Sequence, residues 1–347
     1  MLVDKSHLRN SNVECTNDIT LLHEKKPIQR DVNICYKDYL NKKKTEKAPF
    51  INELAIGIYC KMEEKYNIDF FTSGIPNYDD FIKSRRLMEQ TPNEYLGEIY
   101  NNILIEEKTR GSPKYGYMKY QTDINEKMRA ILIDWLVDVH LRFKMRVETL
   151  YLTTAIIDEY LSLRSISRNK LQLLGVSALL IASKFEEIYI PEIGDFVYIT
   201  DNAYSKSEIL KTEFEILSLF EFNVNFPSPY AFYELYCQKY KLTKSQFFLG
   251  RYFIELFLID YRQNRYYPSQ IALSAIYMIF RVYEDKSINE FIINHNAELN
   301  VIELCIKDIM FLINNIEQST LKSVQSKFAL EEYCNVSTKA SKISFQL

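Results

Sequence analysis

The residue types that most often carry chemistry are few and scattered in this chain. The four histidines (His7, His23, His140 and His295) have no second histidine or cysteine at metal-ligand spacing. The six cysteines (Cys15, Cys35, Cys60, Cys237, Cys305 and Cys334) form no CxxC pair, so neither a zinc ribbon nor a dithiol redox site is supported. They read as reduced, buried thiols. Glu186 and Glu187 are adjacent carboxylates, but neighbours on a helix point about 100° apart, which suits a solvated helix end better than an acid–base pair. No glycine-rich phosphate loop, HExxH, GxSxG or kinase catalytic-loop pattern occurs. No catalytic residue, metal or cofactor is expected.

What stands out instead is one helix that is apolar on nearly every side. Between Ile124 and Lys144, Met128, Ile131, Leu132, Trp135 and Val139 fall on one helical stripe. Ala130, Ile133, Leu136, Val137, His140 and Leu141 form a second, broader face, and Lys127, Asp134 and Asp138 fill a narrow polar arc. Such a helix is either central to a core or buries one face and offers the other to a partner, and the pattern alone leaves both open. Trp135, the only tryptophan, suits either role. His140 reads as a satisfied core residue. Arg129 lies on the apolar side, and Asp158 lies among Ile156, Ile157, Tyr160 and Leu161. A buried charge left unpaired costs several kcal/mol. An Arg129–Asp158 pair joining two helices is therefore expected, as a specificity device without chemistry. The alternative is two unrelated surface charges.

The elements that must position these residues are helical. A chain of 347 residues suggests about two domains with tails, and 8 Gly with 9 Pro is too few for an all-β fold. Apolar residues at 47% and charged residues at 26% are those of a soluble globular protein. The net charge of −3 argues against a general nucleic-acid binder. The N-terminus lacks the apolar core of a secretory signal, and no apolar run is long enough to span a bilayer. A cytoplasmic or nuclear protein is expected. Asp123 with Glu126 is read as an N-cap and capping box. Further helices are expected at about 148–161, 169–184, 205–220, 229–240, 244–261, 268–283 and 300–315, and one with Pro92 in its first turn. An internal repeat appears at an offset of 97 residues: Leu174-Gly175-Val176-Ser177-Ala178-Leu179 aligns with Ile271-Ala272-Leu273-Ser274-Ala275-Ile276, and Ile156-Ile157-Asp158 with Phe253-Ile254-Glu255. Residues 1–48 are polar. Their lysine cluster (Lys42, Lys43, Lys44, Lys47) is a solvated charge run or a nuclear import signal.

The stretch Met128-Arg129-Ala130-Ile131-Leu132-Ile133-Asp134-Trp135-Leu136-Val137 closely resembles the signature of the A- and B-type cyclins. The likeness continues through Ile181-Ala182-Ser183-Lys184-Phe185-Glu186-Glu187-Ile188-Tyr189 and Thr200-Asp201-Asn202-Ala203-Tyr204. It is strong over about residues 92–230 and weaker to about 317. Val139-His140 and residues 200–204 look more like the mitotic B type, with the A type as alternative. The resemblance implies an all-α cyclin fold: a flexible N-terminal tail (1–91), a first five-helix box with its preceding helix (92–226), a second box (227–320) and a C-terminal tail (321–347).

It further implies a non-catalytic subunit that binds and activates a cyclin-dependent kinase at the G2/M transition, in the nucleus and cytoplasm, without nucleic-acid or membrane partners. By the same likeness, the kinase-facing residues are Lys184, Phe185, Glu213, Leu217, Phe222 and Val224. A docking patch for Arg-x-Leu motifs of substrates and inhibitors comprises Met128, Ile131, Leu132, Trp135 and Gln172, with Asp138 facing the motif's arginine. Asp138 stands where the family usually has Glu, Glu159 where a basic residue is usual, and Thr212 where Met is usual. No Arg-x-x-Leu or Lys-Glu-Asn destruction signal is found in residues 1–91, and Arg85-Arg86-Leu87 reads as a solvated basic turn. A transcription scaffold of the same duplicated fold would predict a basic face and a zinc ribbon, and an enzyme would need a catalytic constellation.

Overall fold

The structure, a computed structural model, describes residues 95–111 and 115–340. Pro92, the lysine cluster and residues 85–87 lie outside the described residues. Helix α1 (Leu96–Arg110) precedes five helices: α2 (Glu126–Arg142), α3 (Val147–Leu163), α4 (Leu171–Glu186), α5 (Ile193–Ile199) and α6 (Lys206–Leu219). Five more follow: α7 (Pro229–Tyr240), α8 (Lys244–Ile259), α9 (Pro268–Val282), α10 (Ser287–Asn294) and α11 (Leu299–Asn314). No strand occurs among the described residues. The repeat is explicit in the helix starts: α3 and α8 begin 97 residues apart, as do α4 and α9.

Local chemistry explains these boundaries. Ser205 and Thr243 cap α6 and α8 in reciprocal boxes with Glu208 and Gln246. Pro229 and Pro268 occupy first turns, where their missing N–H has no helical partner to lose. Helix α2 begins later than the sequence predicts. Asn125, in extended conformation, is its cap and accepts from Met128 N at 3.1 Å. Asp123 instead accepts from Arg168 N at 2.8 Å, tying the strand of chain before α2 to the α3–α4 connection.

Helices α4 and α9 are the axes of the two repeats. In α4, Leu171 and every residue from Leu173 to Ser183 are buried. Small residues permit this. A Cβ on Gly175 would fall 2.7 Å from Leu132 Cδ1, so α2 and α4 cross closely there. Helix α8 is buried from Gln246 to Ile259 and packs against both α2 and α9, which joins the repeats. Tyr151 of α3 stacks on Tyr230 of α7 at 5.8 Å, adding a second join.

Residues beyond 320, expected to be a tail, continue the packed structure as α12 (Ser323–Phe328) and α13 (Val336–Ala340). Val324, Phe328, Tyr333, Val336 and Ala340 are buried there. Helices this short show no usable periodicity, which is why the sequence did not mark them.

Candidate functional site

The first candidate surface forms where α4 ends beside α6. Lys184 Nζ lies 2.6 Å from Glu213 Oε1, linking the two helices. Lys184 is half exposed, with 46% of its side chain open, whereas Glu213 is buried. Around this pair the surface is apolar: Phe185 is 53% and Phe222 62% exposed, and Leu217 is half-buried. Phe222 is held out by a left-handed turn, with φ +50° at Glu221 and +60° at Phe222, closed by Phe222 N donating to Leu217 O at 2.8 Å. A bulky residue rarely adopts that conformation without cause. Val224, expected to line the same groove, is instead buried in the core cluster.

Sequence reasoning missed Phe214, Ile188 and Tyr189, all strongly exposed apolar residues on or beside this face. Leu210, Phe214 and Leu217 fall at i, i+4 and i+7 along α6, a stripe that periodicity alone could have found. Half-exposed aromatics around one buried carboxylate and its lysine suit an amphipathic helix laid across them, with the charged pair fixing its ends.

The second surface is the α2 stripe. Met128, Ile131, Asp138 and Gln172 are half-buried, but Leu132 and Trp135 are buried. The expected open patch is therefore shallower than the sequence suggested. The close approach at Gly175 draws Leu132 against α4, and Trp135 lies in the core cluster. A docking segment would meet the rims of these two side chains and the flanks of Met128 and Ile131.

The expected charge pair is buried. Arg129 Nε and Nη2 donate to Asp158 Oδ1 and Oδ2, each at 2.6 Å. Arg129 Nη1 also reaches the carbonyls of Leu258 (3.3 Å) and Ile259 (3.0 Å), at the C-terminal end of α8. Tyr117 and Gln263 complete the shell of Asp158, at 2.7 and 3.3 Å. Burial opposes the charge on Arg129, but Asp158 holds its pKa above the ordinary value.

His140 is buried; its Nε2 is 2.7 Å from the carbonyl of Arg146, and Nδ1 has no partner. Burial pushes its pKa down to about 3. Glu187 is more than a solvated end: its carboxylate accepts from Arg146 N at 2.7 Å and from the Thr149 hydroxyl, clasping α3 to α4. Burial, helped by Glu148, raises the pKa of Glu186. Cys305 is buried and Cys237 and Cys334 are half-buried, and none of the three is in a disulfide. Among the described residues, no three His, Cys, Asp or Glu side chains converge as metal ligands, and no helix is long and apolar enough to cross a membrane.

The fold defines a helical protein of two repeated five-helix boxes. Residues 98–225 match the family model of the cyclin N-terminal domain and residues 227–342 that of the cyclin C-terminal domain. The chain belongs to the cyclin family. It is 41% identical over 209 residues to the G2/mitotic-specific cyclin-B2 of Anguilla japonica, covering 59% of this chain and 52% of that protein. It is 37% identical over 246 residues to the G2/mitotic-specific cyclin-B of Hydra vulgaris, covering 70% and 67%. Thus the chain spans roughly half to two thirds of the length of these relatives, and its likeness is to the B type. In fold it resembles a viral cyclin from herpesvirus saimiri, with a TM-score of 0.54, 17% identity and coverage of 60% of this chain and 93% of that one.

Proposed function

We propose that this chain is the regulatory subunit of a cyclin-dependent kinase, that it switches the kinase on at the G2/M transition, and that it helps recruit substrates. The carrying observation is the Lys184–Glu213 pair set in an exposed apolar face. A protein kinase is active when its β3 lysine pairs with the glutamate of helix αC. A surface that binds the helix-in form better shifts that equilibrium, and moving it from 1:99 to 99:1 takes about 5.5 kcal/mol of differential binding. An apolar interface of roughly 2,000 Å² is large enough to supply this. ATP binding and phosphoryl transfer belong to the kinase. The names of the B-type relatives support the mitotic assignment. The half-buried Met128, Ile131, Asp138 and Gln172 support Arg-x-Leu docking on a separate face.

The test is reconstitution. The purified chain is mixed with candidate kinase catalytic subunits, captured, and assayed on histone. Activity from the pair, and from neither component alone, is the expected result; a complex without activity overturns the reading. We also propose that the chain acts in both nucleus and cytoplasm, which microscopy of a tagged full-length chain checks.

A further inference from the structure

The segment beyond residue 320 lies outside both five-helix repeats, yet it bonds to each. Its first contact is with the first repeat. Asp134 of α2 accepts from Ser323 N at 3.0 Å through Oδ1 and from Ser323 Oγ at 2.9 Å through Oδ2. One helical turn later the segment enters the second repeat. Lys327 Nζ lies 2.5 Å from Glu255 Oε2, whose other oxygen accepts from Arg251 at 2.8 Å.

All three members of this triad are buried. Burial alone would raise the Glu255 pKa, but Lys327 and Arg251 together hold it below the ordinary carboxylate value. Phe328 and Tyr333 close the site. Phe328 packs on Tyr252 at 5.6 Å, Tyr333 packs on Phe248 at 5.3 Å, and the Arg251 guanidinium lies 5.7 and 5.9 Å from their rings. Ser337 Oγ donates to Gln325 O at 2.9 Å and ties the far end of the segment to its beginning.

Two anchors in different repeats, four residues apart on one rigid turn, form a crosslink. The anchored residue Asp134 is on the helix that carries Met128, Ile131, Trp135 and Asp138. At 100° per residue it stands about 40° from Asp138, at the edge of the docking stripe. None of the contacts named here involves Lys184, Glu213 or Phe222. We infer that residues 323–340 are a clasp that fixes α2 against the second repeat and thereby holds the docking stripe in register, independently of the kinase face. Ser323 and Lys327 are its positioning residues. Its consequence for docking rests on the docking function proposed above for the stripe.

The test uses the full chain and the variants Ser323→Ala, Lys327→Met and their combination. Trp135, the only tryptophan, reports on α2 through its fluorescence. Amide exchange of α2 gives a second readout, and a fluorescent Arg-x-Leu peptide a third. In the double variant, α2 exchange is expected to rise at least tenfold, Trp135 emission to shift to the red, and peptide affinity to fall five- to tenfold. Kinase binding should stay within twofold of the parent. Should the double variant not fold, Ser323→Ala alone removes the hydroxyl half of one anchor, leaving the Ser323 N–H bond to Asp134 in place, and is expected to show the same changes at smaller size. Free exchange in α12 with α2 exchange and Trp135 emission unchanged overturns the clasp. A parent chain that binds no peptide overturns the docking function instead, and exchange then decides the clasp alone.

Discussion

Arg129 joins three helices with one guanidinium. It pairs with Asp158 in fork geometry and places its remaining charge at the C-terminal carbonyls of α8, where a cation is favoured. Removing one partner of such a buried pair leaves the other uncompensated, at a cost of about 3–5 kcal/mol. Asp158→Asn should therefore lower unfolding stability by about that amount in urea titration. Arg129→Met with Asp158→Leu should cost clearly less than the two single changes summed, because neither charge is then stranded. His140 makes the opposite kind of statement. Its folded pKa of about 3 lies below the unfolded value of about 6.5, so the unfolded chain takes up the proton first. The stability due to neutral His140 is full above about pH 6.5 and is lost as pH falls toward 3, by about 1.4 kcal/mol per unit. His140→Gln abolishes that slope, so its stability deficit relative to the parent should narrow between pH 7 and pH 5 in paired denaturation curves.

At the scale of elements, close helix crossings are made possible by absent side chains. A Cβ on Gly250 would meet the Tyr233 hydroxyl at 2.3 Å and Ile279 Cδ1 at 2.6 Å. That hydroxyl is bound to Phe247 O at 2.8 Å and cannot swing away cheaply. A Cβ on Gly175 meets mainly the free end of Leu132. Gly250→Ala should destabilise by about 1–3 kcal/mol, an overpacking cost, and Gly175→Ala by less, as thermal melts of the two variants will show. Helix existence was legible for the same reason these crossings exist: long apolar stripes with small residues at fixed places. The expected bounds of α3, α4, α8 and α9 lie within two residues of those observed, and α7 is identical. Helices α5, α10, α12 and α13 escaped because eight residues or fewer give little more than two turns of pattern. The depth of Leu132 and Trp135 was not legible either, since a helix apolar on nearly every side does not say which face is covered. Nor was Arg129's third bond, to a helix end 130 residues away.

For the whole molecule, the decisive question is whether the Lys184–Glu213 pair serves the fold or a partner. Lys184 is half exposed and Glu213 buried, so the pair stands between the exposed regime, worth about 0–1 kcal/mol, and the buried one, where stranding a charge costs about 3–5 kcal/mol, and only charge reversal separates the two roles. Reversing one charge, as in Lys184→Glu, sets like charges together, and loss of activation could then reflect local disruption. Reversing both, as in Lys184→Glu with Glu213→Lys, restores attraction between the two side chains while inverting the field that a partner meets. If the pair acts only within the chain, the double variant should match the parent in melting temperature and in kinase activation alike. If the pair orients a kinase helix, the double variant should melt within a few degrees of the parent and bind an Arg-x-Leu peptide normally through the separate α2 stripe. It should still lose activation by at least tenfold, which is about 1.4 kcal/mol of recognition. Histone phosphorylation at saturating kinase, measured beside the melts, separates the cases. Full activation by the double variant would show that this face is read for its shape alone and that the charges play no part in recognition.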